Sequence, residues 1–146
     1  MDNLTLRVSM GIERIAVLGA GQMGNGIAQV AACAGYEVVM IDIKQDYLDK
    51  GLAAIENSLS RVVKKERMTQ QDADTAISLI STSTEKTSAA DADLVVEAIP
   101  EIPELKFSTF AELDSICKPE AILASNTSSI SINAIADASN RPDRVI

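Results

Sequence analysis

The sequence predicts an α/β domain built on a mostly parallel sheet with helices on both faces. Two observations lead to this fold class. Short runs of Val, Ile and Leu alternate with longer segments of helical periodicity along the chain, and helices stand between all but one pair of successive strands. Neither a repeat nor a linker interrupts this alternation. A length of 146 residues is enough for one domain with a buried core.

The first half of the chain predicts two strands and three helices. The strands cover 14–19 and 36–42, and the helices cover 22–34 and 44–66, with a third beginning at 69–72. Gly35 ends the first helix as a C-cap. Apolar residues recur every three or four positions in the second helix, which indicates one buried face. Thr69 resembles an N-cap, although Asp72 stands where a capping box prefers Glu or Gln.

The second half predicts three strands and two helices. The strands cover 80–84, 93–99 and 121–125, and the helices cover 103–117 and 131–138. The first of these strands is short and polar, which is typical of a sheet edge. Pro103 suits the first turn of its helix, and Pro119 lies just beyond the end of that helix. A further strand begins at 144–146, so we expect the natural protein to continue beyond Ile146.

Composition and charge argue against several classes of partner. The net charge of −8 opposes binding to nucleic acid or to an anionic membrane. No apolar run approaches the roughly 18–20 residues that span a bilayer, and the first residues lack the features of a signal peptide. We predict a flexible leader at 1–11, one domain at 12–146 and a cytoplasmic location. Cys33 and Cys117 are expected to be reduced core residues, and no metal site is predicted.

A glycine-rich turn carries the first functional signal. The pattern G-x-G-x-x-G occurs at Gly19, Gly21 and Gly24, between the first predicted strand and helix. Together with an acid at the end of the second strand, it is typical of a Rossmann-type dinucleotide-binding domain. The first glycine permits the turn, the second leaves room for a pyrophosphate, and the third lets the helix approach the strand. Close helix packing alone is the alternative interpretation.

The acid at the end of the second strand is Asp42, 18 residues after Gly24. Its carboxylate is expected to accept hydrogen bonds from both hydroxyls of the adenosine ribose. A 2′-phosphate there would be repelled, so NAD is favoured over NADP as the cofactor. Lys44 lies two residues further along the chain and partly offsets that repulsion. A turn residue at the end of a strand is the alternative interpretation of Asp42.

Three stretches together resemble a known family. They are GAGQMGNGIA at 19–28, LVVEAIPE at 94–101 followed by Lys106, and ASNTSSI at 124–130. In this order and spacing they resemble the NAD-binding domain of L-3-hydroxyacyl-CoA dehydrogenases, with the short-chain 3-hydroxybutyryl-CoA type as the nearest likeness. The resemblance covers essentially the whole chain beyond Gly11.

The resemblance implies an activity and a set of site residues. Family members oxidise the 3-hydroxyl of an acyl-CoA to a ketone and pass hydride to NAD. The implied cofactor contacts are Gly19, Gly21, Gln22, Met23, Gly24, Asp42, Glu101, Lys106 and Asn126. Of these, Glu101 and Lys106 are expected near the nicotinamide ribose, and Asn126 is expected to shape its turn.

Three further residues are implied to meet the substrate. Ser128 is expected to hydrogen-bond the substrate's 3-oxygen, and Ser58 and Lys65 are expected to contact the adenosine phosphate of CoA. An ordinary turn that caps the next helix is the alternative for 125–129. A solvated helix face is the alternative for Lys65. Glu97, inside an apolar strand, needs a partner if it is buried, and a structural role is open for it.

The general base is missing from these residues, because the chain contains no histidine. In the family, a histidine oriented by a glutamate follows the strand that begins at 144–146. A helical C-terminal domain then completes the acyl pocket and forms a homodimer. We therefore expect the chain to bind NAD and to turn over very slowly or not at all, since loss of general-base catalysis costs about 10²–10⁴-fold.

Two other functions stay open at this stage. An NAD-sensing module that performs no chemistry would need only the glycine turn and Asp42, and would lack the histidine naturally. Another β-hydroxyacid dehydrogenase would share the same cofactor turn, although the serine-rich stretch 125–131 and Lys65 argue against it. The acyl chain length, the pathway and the physiological direction of the reaction are not determined by the sequence.

Overall fold

A computed structural model describes residues 11–146, and its centre is a five-stranded sheet. The strands are β1 (Arg14–Leu18), β2 (Glu37–Ile41), β3 (Ile80–Ser83), β4 (Leu94–Glu97) and β5 (Ile122–Ser125). Their order in the sheet is β3-β2-β1-β4-β5, and each of the four strand pairings is parallel. The predicted Rossmann-type α/β fold is confirmed, with β3 at one edge. The predicted leader, apart from Gly11, lies outside the described residues.

Five α-helices cover the two faces of the sheet. They are α1 (Gln22–Cys33), α2 (Gln45–Lys64), α3 (Gln70–Ser78), α4 (Pro103–Ile116) and α5 (Ile132–Asp137). Because successive strand residues point to opposite faces, Ile15 and Val17 pack with α1, α2 and α3, whereas Ala16 and Leu18 pack with α4 and α5. The prediction of helices on both faces is therefore confirmed.

Several predicted helix ends are confirmed by their hydrogen bonds. Gly35 has a φ of 87°, and its N–H donates to Ala32 while the Tyr36 N–H donates to Ala31. This is a Schellman motif, so the glycine follows the cap residue Ala34. At the start of α3, the Thr69 hydroxyl accepts from the N–H of Asp72 at 3.1 Å. Pro103 occupies the first turn of α4.

Two sequence-based expectations needed correction. Arg144 belongs to a short 3₁₀ helix (Pro142–Arg144), so strand-like pairing beside β5 is confined to Val145 and Ile146. Cys117 is buried as predicted, but Cys33 is exposed, because it lies on the solvent side of the last turn of α1. A second 3₁₀ helix, Lys86–Ala89, links β3 to β4 and was not predicted.

The register of the sheet brings the carboxyl ends of four strands into one row. Leu18 of β1 lies beside Ile41 of β2 and beside Glu97 of β4, and Glu97 lies beside Ser125 of β5. From β1 the chain adds β2 and β3 on one side and then β4 and β5 on the other, so the direction in which strands are added switches between β1 and β4. Open α/β sheets bind their ligands at this position, outside the carboxyl ends of the strands.

Within residues 11–146, no helix is both long and apolar enough to cross a membrane.

Arg141 fastens the C-terminal end of α4 to the loop that follows. Its Nε donates to Asp114 Oδ1 at 2.7 Å, and its other nitrogens donate to the carbonyl oxygens of Asp114, Cys117 and Lys118. The carbonyls at a helix end lack partners within the helix, and one guanidinium supplies several here. The hydrogen bond from Arg141 is the main reason why the pKa of Asp114 is lowered.

We expect the substitution Arg141→Met to lower the free energy of unfolding by about 3 kcal/mol, because it leaves Asp114 and several carbonyls without their charged donor. Urea denaturation monitored by circular dichroism measures this change. Arg144→Met is the matched control: that side chain is exposed and makes a single bond, to the Glu120 carbonyl. The control should change the free energy by less than about 1 kcal/mol. Equal losses in both variants would contradict the capping role.

Candidate functional site

The three glycines of the turn between β1 and α1 have different surroundings. A Cβ built on Gly24 would lie 1.8 Å from the Gly19 carbonyl oxygen, so only glycine lets α1 approach the strand this closely. Gly19 has a φ of 104°, and a Cβ there would lie 2.5 Å from the Ala98 carbonyl oxygen. A Cβ on Gly21 would meet no atom within 4 Å. The space beside Gly19 and Gly24 is filled by the protein itself, whereas Gly21 borders open space.

That open space is a cavity of about 540 Å³ at the N-terminus of α1. It is lined by Gly19, Ala20, Gly21, Gln22, Met23, Asp42, Tyr47, Lys50, Ala98, Ile99 and Pro100. Gly21 is the N-cap residue of α1, which has no side-chain cap hydrogen bond and no acidic residue in its first turn. The first N–H groups and the positive dipole end of the helix are therefore available to an anion.

Asp42 has a structural role at the end of β2, as the alternative interpretation of this residue expected. Its Oδ2 accepts from the N–H of Ala20 at 2.8 Å, and its Oδ1 accepts from the N–H of Ile43 at 2.7 Å. The carboxylate thus joins the end of β2 to the glycine turn. Each carboxylate oxygen can accept more than one hydrogen bond, so Asp42 retains the capacity to bind ribose hydroxyls.

Helix α2 borders the cavity through Tyr47 and Lys50. A Cβ on Gly51 would lie 2.7 Å from the Ala20 carbonyl oxygen, so this glycine lets α2 pass close to the turn. The sequence carried a signal for this close approach, because Gly51 is a glycine inside an otherwise helical pattern. Lys44, the N-cap residue of α2, places its Nζ 5.5 Å from the centre of the Tyr47 ring.

A buried ion pair lies at the carboxyl end of β4. Glu97 is 0% exposed and Lys106, on α4, is 1% exposed. The Lys106 Nζ donates to Glu97 Oε2 at 2.6 Å, and the same oxygen accepts from the N–H of Ile99 at 2.9 Å. Glu97 Oε1 accepts from the Ser125 hydroxyl at 2.7 Å. The partner that the sequence required for a buried Glu97 is therefore Lys106.

Glu101 connects this ion pair to the turn after β5. Its carboxylate accepts from the Thr127 hydroxyl at 2.8 Å and from the N–H of Ser128 at 3.0 Å, and it lies 3.3 Å from the Lys106 Nζ. The backbone N–H of Ser128 and then the Thr127 hydroxyl lower the pKa of Glu101 to about 2. The side chain is therefore ionised throughout the physiological pH range.

The turn after β5 is held by a backbone hydrogen bond to β4 and by a side-chain hydrogen bond within the turn. The Asn126 N–H donates to the Glu97 carbonyl at 2.8 Å, and the Thr127 hydroxyl accepts from the N–H of Ile130 at 3.0 Å. The side chains of Asn126 and Ser128 are exposed. The Ser128 Oγ lies 3.3 Å from Glu101 Oε2, which is long for a bond between a hydroxyl and a carboxylate. The N-cap of α5 is Ser131, whose hydroxyl accepts from the N–H of Ala134. The helix-capping role that was the alternative for 125–129 therefore belongs to a residue just beyond that stretch.

The two residues expected to contact CoA lie on α2. Ser58 borders a cleft of about 580 Å³ between α1 and α2, which is also lined by Lys50 and Arg61. The Ser58 hydroxyl accepts from Gln29 Nε2 at 3.0 Å. Lys65 is exposed and is the C-cap residue of α2, outside the lining of this cleft.

Comparisons with known proteins agree with this geometry. Residues 14–146 match the model of one protein family, described as the NAD-binding domain of 3-hydroxyacyl-CoA dehydrogenase. This chain belongs to that family. It is 50% identical over 133 residues to a probable 3-hydroxybutyryl-CoA dehydrogenase of Deinococcus radiodurans (91% of this chain and 48% of the relative). It is also 47% identical over 135 residues to a 3-hydroxybutyryl-CoA dehydrogenase of Bradyrhizobium diazoefficiens (92% of this chain and 46% of the relative).

A solved structure shows the same domain architecture. The (S)-3-hydroxybutyryl-CoA dehydrogenase of Ralstonia eutropha superimposes with a TM-score of 0.90 at 42% identity, covering 92% of this chain and 48% of that protein. The chain therefore spans about half the length of the relatives it matches. The family membership inferred from three short stretches is confirmed, and NAD is the cofactor of this domain family.

The predicted site residues fall into two groups at the carboxyl edge of the sheet, with a third set beside them. The glycine turn, Gln22, Met23 and Asp42 surround the cavity at α1. Glu101, Lys106 and Ser128 form one hydrogen-bonded cluster with the backbone of Asn126 nearby. Glu97 and Ser125 belong to that cluster but had no predicted site role. Among residues 11–146, no three His, Cys, Asp or Glu side chains are grouped as metal ligands would be.

The contrast between the glycines makes a prediction about cofactor binding. We expect Gly21→Ala to fold normally and to weaken NAD⁺ binding by at least about tenfold, because the new methyl group enters only the space open to the ligand. Thermal unfolding and titration calorimetry measure the two effects. Gly19→Ala should instead prevent folding, since its Cβ would collide with the Ala98 carbonyl oxygen.

Gly26→Ala is the matched control for this pair. Gly26 lies on α1, and a Cβ there would also meet no atom within 4 Å. The control should bind NAD⁺ normally and gain up to about 1 kcal/mol of stability from helix propensity. Unchanged NAD⁺ binding in Gly21→Ala would show that the phosphates lie elsewhere.

Proposed function

We propose that this chain is the cofactor-binding half of an NAD-dependent dehydrogenase that oxidises the 3-hydroxyl of a short-chain 3-hydroxyacyl-CoA. One observation carries the proposal. The open cradle at Gly21 and the cluster that holds Ser128 lie on the same row of strand ends. A cofactor that starts at the cradle and extends along this row would bring its other end to the exposed hydroxyl of Ser128.

The residues present fit NAD. Gly21 offers space against the backbone, α1 offers unpaired N–H groups, and Asp42 offers acceptors for the hydroxyls of the adenosine ribose. When bound, the nicotinamide ring accepts a hydride from the substrate. The protein's part is to hold the two ends of the cofactor and to orient the reacting oxygen.

At the far end of the row, Glu101 and Asn126 are proposed to meet the nicotinamide ribose, and Lys106 lies 3.3 Å from the Glu101 carboxylate. Ser128 is proposed to donate its hydroxyl to the substrate's 3-oxygen. Its existing bond to Glu101 is long, so a substrate oxygen can replace it at small cost. A positioned donor of this kind stabilises charge that develops on the reacting oxygen.

The general base and the partner surfaces are proposed to lie outside these 146 residues. The described elements contain no histidine, and the matched relatives are about twice as long. We propose that residues 12–146 form one domain, and that a C-terminal domain completes the acyl pocket and forms a homodimer in the cytoplasm. Neither nucleic acid nor a membrane is proposed as a partner, since the net charge of −8 repels nucleic acid and anionic membrane surfaces.

The CoA end of the substrate is proposed to bind along α2. Ser58 and Arg61 border the cleft beside α1, and Lys65 lies two turns beyond Ser58 on the same helix. Residues seven apart share a helix face. A hydroxyl, a guanidinium and an ammonium would then meet the adenosine phosphate.

The cofactor choice can be measured on this chain. We expect at least about tenfold tighter binding of NAD⁺ than of NADP⁺ in titration calorimetry, because Asp42 would repel a 2′-phosphate. Asp42→Asn should reduce this ratio. Asp49→Asn, an exposed position on α2 that bonds only to Gln45 among its described contacts, should not change it. Equal affinity of the original chain for the two cofactors would refute the assignment.

The proposed reaction requires a general base, so its test uses a longer chain that includes the proposed C-terminal domain. We expect it to reduce NAD⁺ with 3-hydroxybutyryl-CoA, and we expect Ser128→Ala to lower kcat by about 10²-fold, as loss of a positioned donor does elsewhere. Ser129→Ala is the control, since Ser129 is the exposed neighbour in the same turn. An extended chain that binds NAD⁺ but oxidises neither acyl-CoA nor free hydroxy acids would support the NAD-sensing alternative. Activity on free hydroxy acids alone would support another β-hydroxyacid dehydrogenase.

A further inference from the structure

The ion pair between Glu97 and Lys106 is a costly feature that fold stability does not explain. Both side chains are withdrawn from solvent, and removing two charges from water costs several kcal/mol per ion. A well-packed apolar pair of similar volume is often equally stable or more so. The position of the pair, at the carboxyl end of β4 beside the proposed site, indicates a different role.

Glu97 joins three separate parts of the chain. Its carboxylate accepts from the Lys106 ammonium of α4, from the Ser125 hydroxyl of β5 and from the N–H of Ile99 in the loop after β4. Three donors from three elements leave this side chain little freedom to rotate. Since buried polar groups are strongly destabilising when unpaired, the same contacts hold those elements in one arrangement.

The Lys106 ammonium is surrounded by protein groups, and its side chain is 2% exposed. It lies 2.6 Å from Glu97 Oε2, 3.3 Å from the Ile99 carbonyl oxygen and 3.3 Å from Glu101 Oε1. The first two contacts are hydrogen bonds, and the third is an ion pair with Glu101. Lys106 therefore acts on a ligand through Glu101, whose carboxylate lies between it and the surface.

Glu101 links the buried ion pair to the exposed turn after β5. It binds the Thr127 hydroxyl and the N–H of Ser128, and its side chain is 36% exposed while that of Lys106 is 2% exposed. A continuous set of charge-assisted contacts therefore leads from the centre of the domain to Ser128. Such contacts are shorter and stronger than neutral hydrogen bonds.

We propose that Glu97 and Lys106 are a buried positioning pair that sets Glu101 and the turn at 126–128 for the nicotinamide half of the cofactor. The inference rests on the proposed function, because that function places the nicotinamide ribose beside Glu101. The adenosine half is proposed to bind at Gly21 and Asp42, which make no described side-chain contact with the pair. Ile99, whose N–H and carbonyl the pair holds, also lines that cavity, but neither group is among those proposed to bind the adenosine half. Disturbing the pair should therefore affect one half of the cofactor and spare the other.

The experiment compares two ligands on the 146-residue chain. Titration calorimetry gives the affinity for NAD⁺, which has both halves, and for ADP, which has only the adenosine half. In Glu97→Gln we expect NAD⁺ binding to weaken at least about tenfold and ADP binding to change by less than about twofold. The Ser128 amide signal in a nitrogen–proton NMR spectrum should also move in this variant.

Two further variants serve as controls. Glu112→Gln removes the carboxylate of an exposed ion pair on the same helix, where Glu112 accepts from Lys86 at 2.7 Å, and it should change neither affinity nor the Ser128 signal. The double variant Glu97→Gln with Lys106→Met removes both buried charges together. It should fold even if a single variant does not, and it should show the same selective loss of NAD⁺ affinity.

The outcomes separate the inference from a purely structural role. Equal weakening of NAD⁺ and ADP in a folded variant, or no weakening of either, would overturn the positioning role. A wild-type chain that binds ADP but not NAD⁺ would overturn the proposed function itself, and the inference with it. Selective loss of NAD⁺ affinity in Glu97→Gln and in the double variant, with Glu112→Gln unchanged, would establish it.

Discussion

The parallel register of the sheet is the constraint on which the site depends. It places Leu18, Ile41, Glu97 and Ser125 in one row, so the loops that follow four strands leave the sheet at one edge. Helices on the two faces secure the row through separate apolar clusters. A shift of one residue in any strand would turn its side chains to the opposite face. The cofactor cavity and the serine turn would then no longer be neighbours.

The two ends of this row use electrostatics in different ways. At α1 the protein offers backbone dipoles and no charged cap, which suits an anionic ligand in a chain whose net charge is −8. At β4 and β5 it surrounds one buried ammonium with two carboxylates. The first end is open to solvent and the second is mostly closed. At both ends, a ligand that spans the row would meet charged or dipolar groups that are held in fixed positions.

Much of the architecture and part of the site could be predicted from local patterns. The strands, the helices, the Schellman motif at Gly35 and the separate roles of Gly19, Gly21 and Gly24 each depend on residues close together in the chain. Lys106 was predicted at the site, but not its burial. Its partners Glu97 and Glu101 lie within nine residues of it, yet helix α4 and strand β4 must first pack together before the three side chains meet.

The sequence by itself determined the fold class, the cofactor turn and the family, because these follow from periodicity and from glycines at fixed spacing. Only the tertiary structure decided what the polar side chains do. It directed Asp42 to the Ala20 N–H, exposed Cys33 and linked Glu97 to Ser128 through two intervening charges. The physical reason is that burial and hydrogen-bond partners are set by contacts between residues distant in sequence, and such contacts leave no period in a single chain.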